Sequence, residues 1–258
     1  MTVNWAGTAF SLILVAVAAG LSLYWGLGLE RSILWAAVRA GVQLLLVGGI
    51  LVLLLRPQTS LWWSWLWVVA MLGYAAWTAK QRAPGVPRIV PLALTAFVVA
   101  TALSLVVLFG LGVFPLGART LVPIAGLIVG NAMTATVLAG RRMVEEFTDK
   151  RDEIEARLAL GQPSREAAQP YVRGVLRSAL SPQIETTKAT GLVFLPGAMT
   201  GLILGGADPV SAVLVQIVVM FLVLAAASTT TTVMALGLSR RLFTPDHRLV
   251  RLARTATG

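Results

Sequence analysis

The side chains that could perform chemistry within the apolar parts of this chain are few. Arg39 is the single ionisable residue that the sequence places inside a long apolar segment. Gln43 follows it by one helical turn and would share its helix face. Arg39 therefore either faces inward with Gln43, toward an anionic group or backbone carbonyls, or extends to the lipid headgroups. The other candidates for a polar or thioether-lined path are Asn131, Met133, Thr134, Met199, Thr200, Gln216 and Met220.

Glycine and proline residues near these candidates indicate where helices could pack closely or bend. Gly126, Gly130, Asn131 and Thr134 fall on one side of a helix, which favours either a close helix–helix seam or a substrate contact. Farther along the chain, Pro196 removes a helical hydrogen bond and Gly197 adds backbone freedom. We expect a hinge or pathway-lining break there, with a small-residue face formed by Gly197, Gly201 and Gly205.

The composition indicates which elements must position these residues. The chain has 258 residues, of which 57% are hydrophobic and 12% charged, and its mean hydropathy is +0.82. Soluble domains carry roughly 25% charged residues, so the sequence predicts an all-α, polytopic membrane bundle. Cysteine is absent, which excludes disulfides and thiolate chemistry.

Apolar runs long enough to cross a bilayer predict seven spans. Of the 21 Lys and Arg residues, 18 fall in alternate connections on one side and two on the other, with Arg39 inside the second span. This asymmetry predicts an N-terminus outside, a C-terminus inside and an inner (plasma) membrane location. Because the basic residues are concentrated on one predicted side of the membrane, the net charge of +10 is explained by membrane topology. No nucleic-acid partner is therefore expected. The predicted spans are 8–28, 32–55, 61–79, 89–114, 121–139, 189–206 and 209–236.

The one long polar stretch, 140–188, is predicted to be a cytoplasmic loop within a single permease domain covering 1–258. Its pattern predicts one amphipathic helix over 141–160 and a second from Arg165 to about Leu180, ended by Pro182. Both helices either lie on the headgroups or dock into another protein. Glu166, Ala167 and Ala168, then Gly174 and Ile184, loosely resemble the Glu-Ala-Ala coupling segment of ABC-transporter permeases. Glu166, Ala167, Ala168, Tyr171 and Gly174 are therefore the predicted ATPase-coupling residues.

The sequence carries no sign of catalysis. None of its three lysines follows a glycine-rich phosphate-binding loop, and no nucleophile–base–acid set is visible. The chain is therefore not expected to be an enzyme or to bind a cofactor, and any ATP and Mg²⁺ would be used by a separate subunit.

Several stretches together resemble the FetB-type family of ABC-transporter permeases, whose bacterial members are associated with iron export and plant relatives with aluminium tolerance. The strings that carry the resemblance are Gly130-Asn-Ala-Met-Thr134 and Leu195-Pro-Gly-Ala-Met-Thr-Gly201, with Arg39, Gln43 and Gln216 in the same order. Leu202 stands where a Gln is often found in that family.

The resemblance implies a homodimeric permease subunit driven by a separate nucleotide-binding protein that docks on the 140–188 loop. It suggests export of iron, another metal or a metal complex, with no metal ligands assigned. The absence of coupling carboxylates leaves open a second hypothesis, a stand-alone channel or facilitator for a small polar or metal-complex solute. Under a third, the protein is a membrane scaffold.

Overall fold

The computed structural model describes residues 5–56, 58–244, 246 and 248–250, with side chains from residue 9 onward. Arg251 and Arg254, two of the 18 basic residues that the charge pattern assigns to the inner side, lie outside the described residues. Within the described part the chain forms helices and no strand, only two isolated bridges. The helices are α1 Trp5–Tyr24, α2 Glu30–Leu54, α3 Leu61–Arg82, α4 Ile89–Gly110, α5 Ala118–Asp149, α6 Arg151–Ala159, α7 Ser164–Ala189, α8 Gly197–Leu204 and α9 Pro209–Arg241.

The chain divides into two compact units, Met1–Ser60 and Leu61–Gly258. The first unit contains α1 and α2, which pack against each other. Ser22 accepts a hydrogen bond from the Leu29 amide at 3.1 Å and fixes the turn between the two helices. Most of the large apolar side chains of α2 are exposed on this unit.

In the second unit, α3, α4, α5 and α9 enclose an apolar core, with α7 packed on α5 and α9. Among the described residues, four helices are long and apolar enough to cross a membrane, namely α2, α4, α5 and α9. The protein is thus a helical membrane bundle, as predicted. Asp208 caps α9 by accepting a hydrogen bond from the Ser211 amide at 2.9 Å.

Cationic residues from three distant parts of the sequence meet at one end of this unit. Arg141 donates to the carbonyl of Arg82, and Arg241 donates to the carbonyl of Arg88 at 2.9 Å. Arg151 reaches the carbonyl of Leu249 at 3.4 Å. The α3–α4 connection, the junction of α5 with α6 and the segment after α9 therefore lie at the same end of the second unit.

Beyond these arginines the chain forms what we call the end module, residues 141–173, 238–244 and 248–250. The helix α5 runs for 32 residues, about 48 Å, and so extends past a hydrocarbon core about 30 Å thick. Its Met143 and Phe147 are fully buried together with Ile154 of α6 and Leu242 after α9. The module thus has an apolar core of its own, continuous with that of the bundle.

Two expectations for the 140–188 stretch are wrong. The first amphipathic helix is the end of α5 followed, after Lys150, by the separate helix α6. The second helix does not stop at Pro182, and α7 continues to Ala189. The proline removes one helical hydrogen bond and crowds the preceding turn, but packing of α7 on α5 and α9 holds the remaining helix. The apolar stripe of α7 lies on its own chain, neither on headgroups nor on another protein.

The predicted sixth span, 189–206, is also wrong as one continuous helix. Residues 190–196 are irregular and α8 is eight residues long, about 12 Å, which is too short to cross a bilayer. The other six predicted spans coincide with α1, α2, α3, α4, α5 and α9 to within a few residues, or lie inside them.

Candidate functional site

The interruption between α7 and α8 brings four of the predicted pathway residues together. The Met199 amide of α8 donates to the Gln216 Oε1 atom of α9 at 3.3 Å. Thr190, at the end of α7, places its Oγ1 atom 4.0 Å from the sulfur of Met220. Thr200 donates to the carbonyl of Pro196 at 3.1 Å. Met199, Thr200, Gln216 and Met220 thus surround one stretch of non-helical backbone.

The local sequence accounts for this break. Gly191 adopts a φ of +88°, which residues with a side chain rarely adopt. Its amide donates to the carbonyl of Phe194 at 3.0 Å, closing a tight turn. Pro196 then occupies the N-cap position of α8, with φ −63° and ψ 148°, and Gly197 is the first helical residue. The break predicted at Pro196 is therefore present, and it extends over seven residues.

Gln216 has a structural role at this break. Its side chain is 5% exposed, and its amide oxygen accepts one of the N–H groups that the first turn of α8 leaves without a helical partner. A buried amide in this position holds α8 against α9. Non-helical backbone at membrane depth is tolerated where protein or water satisfies it, and such breaks recur at the binding sites of transporters.

The candidates on α5 lie at a different depth. The Cβ position of Gly140 is 3.2 Å from the Met234 side chain, which sets the register between α5 and α9. At 1.5 Å per residue, Asn131 then lies about 13 Å from the level of Gln216 along the helix axis. Asn131 donates to the carbonyl of Leu127 at 2.8 Å and Thr134 to that of Gly130 at 3.4 Å, both within α5. Met133 is partly buried against the core.

Arg39 and Gln43 belong to the first unit, where both are exposed on α2. They share one face of that helix at the predicted spacing of four residues. Arg39 lies in the interior of the 25-residue helix α2, in the half that begins at Glu30.

The predicted packing glycines divide into two groups. A Cβ on Gly126 would lie 3.0 Å from Met71 Cε, so this residue does permit a close approach of α3 to α5. Added Cβ atoms on Gly130, Gly197 and Gly201 would meet nothing within 4 Å, and on Gly205 would meet only α8 itself. The tightest contact is one that sequence reasoning missed: a Cβ on Gly237 would overlap Leu92.

The predicted coupling residues are on opposite sides of α7. Ala167, Ala168 and Tyr171 are buried against the rest of the chain, whereas Glu166 and Gly174 are exposed. The Tyr171 hydroxyl donates to Glu153 at 3.0 Å and so joins α7 to α6. The Arg157 guanidinium lies 5.8 Å from the centre of the same ring.

Glu153 gives the end module a dependence on pH. Hydrogen bonds from the Lys150 ammonium, at 2.7 Å, and from Tyr171 lower the pKa of Glu153 below its ordinary value of 4.5. A lowered pKa in the folded state means stability that is present above pH 4.5 and is lost as the pH falls through the folded-state value. Acid is therefore expected to weaken the α6–α7 contact.

We expect the Glu153→Gln variant to remove this component, because the amide cannot titrate and still accepts from Tyr171. The measurement is helix content of the protein in detergent, by circular dichroism, between pH 6 and pH 3. The helix content of the variant should fall less between pH 6 and pH 3 than that of the native chain. The Asp152→Asn variant, changed on the same helix, should lose as much helix as the native chain. Equal acid profiles for all three would contradict the prediction.

Sequence reasoning also missed two charged residues near the break. Glu185 and Lys188 lie in the last turns of α7 and form an ion pair of 2.9 Å. They were assigned to the inner aqueous side because Pro182 was expected to end the helix. Since α7 continues to Ala189 along α9, both residues lie on a helix that packs on α9 and not beyond a helix end at Pro182. A stripe of four exposed polar residues spaced 4, 4 and 3 apart was the available signal: Arg177, Ser181, Glu185 and Lys188.

No group of three or more His, Asp or Glu side chains that could hold a metal ion is present among the described residues. The fold and the broken α7–α8 segment define the class of the molecule as a polytopic helical membrane protein. Residues 5–243 match the uncharacterised protein family UPF0014, and the chain belongs to that family.

Relatives of the chain occur in bacteria and plants. It is 34% identical over 243 residues to a protein of Escherichia coli (strain K12) named probable iron export permease protein FetB, covering 94% of this chain and 93% of that one. It is 42% identical over 208 residues to the rice (Oryza sativa subsp. japonica) UPF0014 membrane protein STAR2, covering 80% and 72%. It is 37% identical over 214 residues to Protein ALUMINUM SENSITIVE 3 of Arabidopsis thaliana, covering 82% and 77%. No solved structure matches the chain significantly.

Proposed function

We propose that the chain is the membrane-spanning permease subunit of an ATP-driven ABC transporter and that it works as a homodimer in the inner (plasma) membrane. The observation that carries the proposal is the end module, which projects from one end of the bundle and is built on continuous extensions of α5 and α9. A partner bound there would act directly on helices that cross the membrane. The permease name of the Escherichia coli relative supports the same function.

The partner is a separate nucleotide-binding subunit that uses ATP and Mg²⁺. It docks on the exposed side of α7 within the end module, where Glu166 and Arg173 project from one face. The opposite side of the helix is fixed by Ala168, Tyr171 and Val172, which are buried. Only the exposed face is therefore available for coupling, and it includes Glu166, the first residue of the Glu-Ala-Ala segment.

The substrate class is a metal ion or metal complex, and the direction is export. The printed names of two relatives, which mention iron export and aluminium, support this class. The path would include the broken segment around Gln216 and Asn131 on α5. Arg39 on α2 is a separate candidate for a substrate contact.

The test is charge reversal on the exposed face of α7. Deleting the helix would remove buried core residues, so the informative variant is Glu166→Lys with Arg173→Glu. Co-expressed with a candidate ATPase, it should lose at least about tenfold in ATPase association, because complementary charges across an interface become repulsive. The matched control is Arg119→Glu, an exposed arginine at the other end of the second unit.

Unchanged association in the double variant would contradict docking on this face. Gradient-driven flux of the substrate through vesicles that hold the chain alone would instead favour the channel or facilitator.

A further inference from the structure

An exposed ion pair lies near the end of α7, close to the break that precedes α8. Glu185 and Lys188 are joined at 2.9 Å near the end of α7, and their side chains are 65% and 66% exposed. Neither is covered by the described part of its own chain. Their surroundings in the membrane therefore depend on the depth at which α7 places them.

Two contacts fix the register of this part of the chain against α9. Thr190 contacts Met220, and Met199 contacts Gln216. The chain thus runs opposite to α9, and Lys188 and Glu185 lie about 3 Å and 8 Å from the Thr190 level toward Arg240. These levels correspond to residues 222 and 225 of α9. Because Asp208 and Arg240 bound the uncharged stretch of α9, whose middle is residue 224, both charges lie close to its centre.

Charged side chains at this depth do not face lipid. Ionisable residues inside membranes face the interior of a bundle or a water-filled cavity. The rest of the exposed stripe is polar as well, since Arg177 and Ser181 precede Glu185 at intervals of four residues. This polar stripe extends along α7 from the end module to the break at residues 190–196. Its side chains can line a water-filled cavity.

We propose that this stripe of α7 lines the water-filled substrate pathway, and that Glu185 is a cation-binding residue near its midpoint. Lys188 neutralises the carboxylate when the site is empty. A metal cation competes with the ammonium for the Glu185 oxygens, which are hard ligands of the kind such ions prefer. Assignment of the stripe to a substrate pathway rests on the proposed permease function, whereas its exposure to water does not.

The chain contains no cysteine, so a single introduced thiol reports its own surroundings. The variants are Glu185→Cys and Lys188→Cys, in vesicles of the chain alone, probed with a charged, membrane-impermeant thiosulfonate. The matched control is Phe221→Cys, a position on α9 at the same depth that is 66% exposed. We expect modification at positions 185 and 188 to be at least about tenfold faster than at 221, because the reactive thiolate forms in water.

A second arm tests the ligand with Mn²⁺ as the probe. It should slow modification of Lys188→Cys when Glu185 is present and have no effect in the Glu185→Gln, Lys188→Cys double variant. Equal protection of both would overturn the cation site. Rates at 185 and 188 no faster than at 221, in variants that still elute as folded protein, would overturn the pathway wall. This experiment uses the chain without an ATPase. Its result therefore does not depend on whether an ATPase docks on α7, and the two proposals can fail independently.

Discussion

Replacing Phe147 by alanine is expected to lower the free energy of unfolding by about 3–5 kcal/mol. The ring is fully buried in the end module and lies edge-to-face with Phe243, with centroids 6.1 Å apart. This part of the chain lies beyond the membrane-spanning stretch, so burial there removes apolar surface from water and the full hydrophobic penalty applies. The cavity would also separate α6 and α7 from the end of α5.

The measurement is thermal unfolding of the purified protein, together with amide hydrogen exchange across α6 and α7. Leu160→Ala is the control, because Leu160 belongs to the same module and is 83% exposed. That variant should stay within about 0.5 kcal/mol of the native chain. A Phe147→Ala protein as stable as the Leu160→Ala protein would show that the module has no packed core.

The Gly237→Val substitution is expected to destabilise the bundle by about 1–3 kcal/mol through overpacking. The Cβ alone would overlap Leu92 of α4, with two further Leu92 atoms at 3.0 and 3.2 Å. Leu92 is itself buried, so its side chain has little room to move away. The substitution therefore forces α4 and α9 apart where they pack most closely.

The matched control is Gly73→Val on α3, where an added Cβ meets nothing within 4 Å. Both changes put a β-branched residue into a long helix, so only the packing differs. The difference in melting temperature between the two variants, in the same detergent, measures the α4–α9 contact. Melting at the same temperature would refute a close approach at Gly237.

Most of the fold could be predicted because long apolar runs and the charge asymmetry report directly on membrane spans. The N-cap at Asp208 was predictable for a similar reason, since its signal is local. The course of α7 was not. Pro182 carries a local signal for ending a helix, and only the packing of α7 on α5 and α9 overrides it.

The candidate site was predictable in part, for the same physical reason. Pro196 and Gly197 identify a break from backbone chemistry alone, and Gln216 stands out as an amide in an apolar run. That Gln216 holds the first turn of α8 depends on a pairing of two helices that no local pattern contains. The position of Glu185 and Lys188 beside α9 could not be predicted, because it follows from the unbroken course of α7 through Pro182 and from its packing on α9.

The two arginine hydrogen bonds at the end of the second unit next to the end module have a mechanical consequence. Arg141 of α5 and Arg241 of α9 hold the backbone on either side of the α3–α4 connection. A force applied to the end module is thereby delivered to four helices together, as through a clamp. The compliant part of the assembly is then the opposite end, where α8 is short and its link to α7 is irregular over residues 190–196.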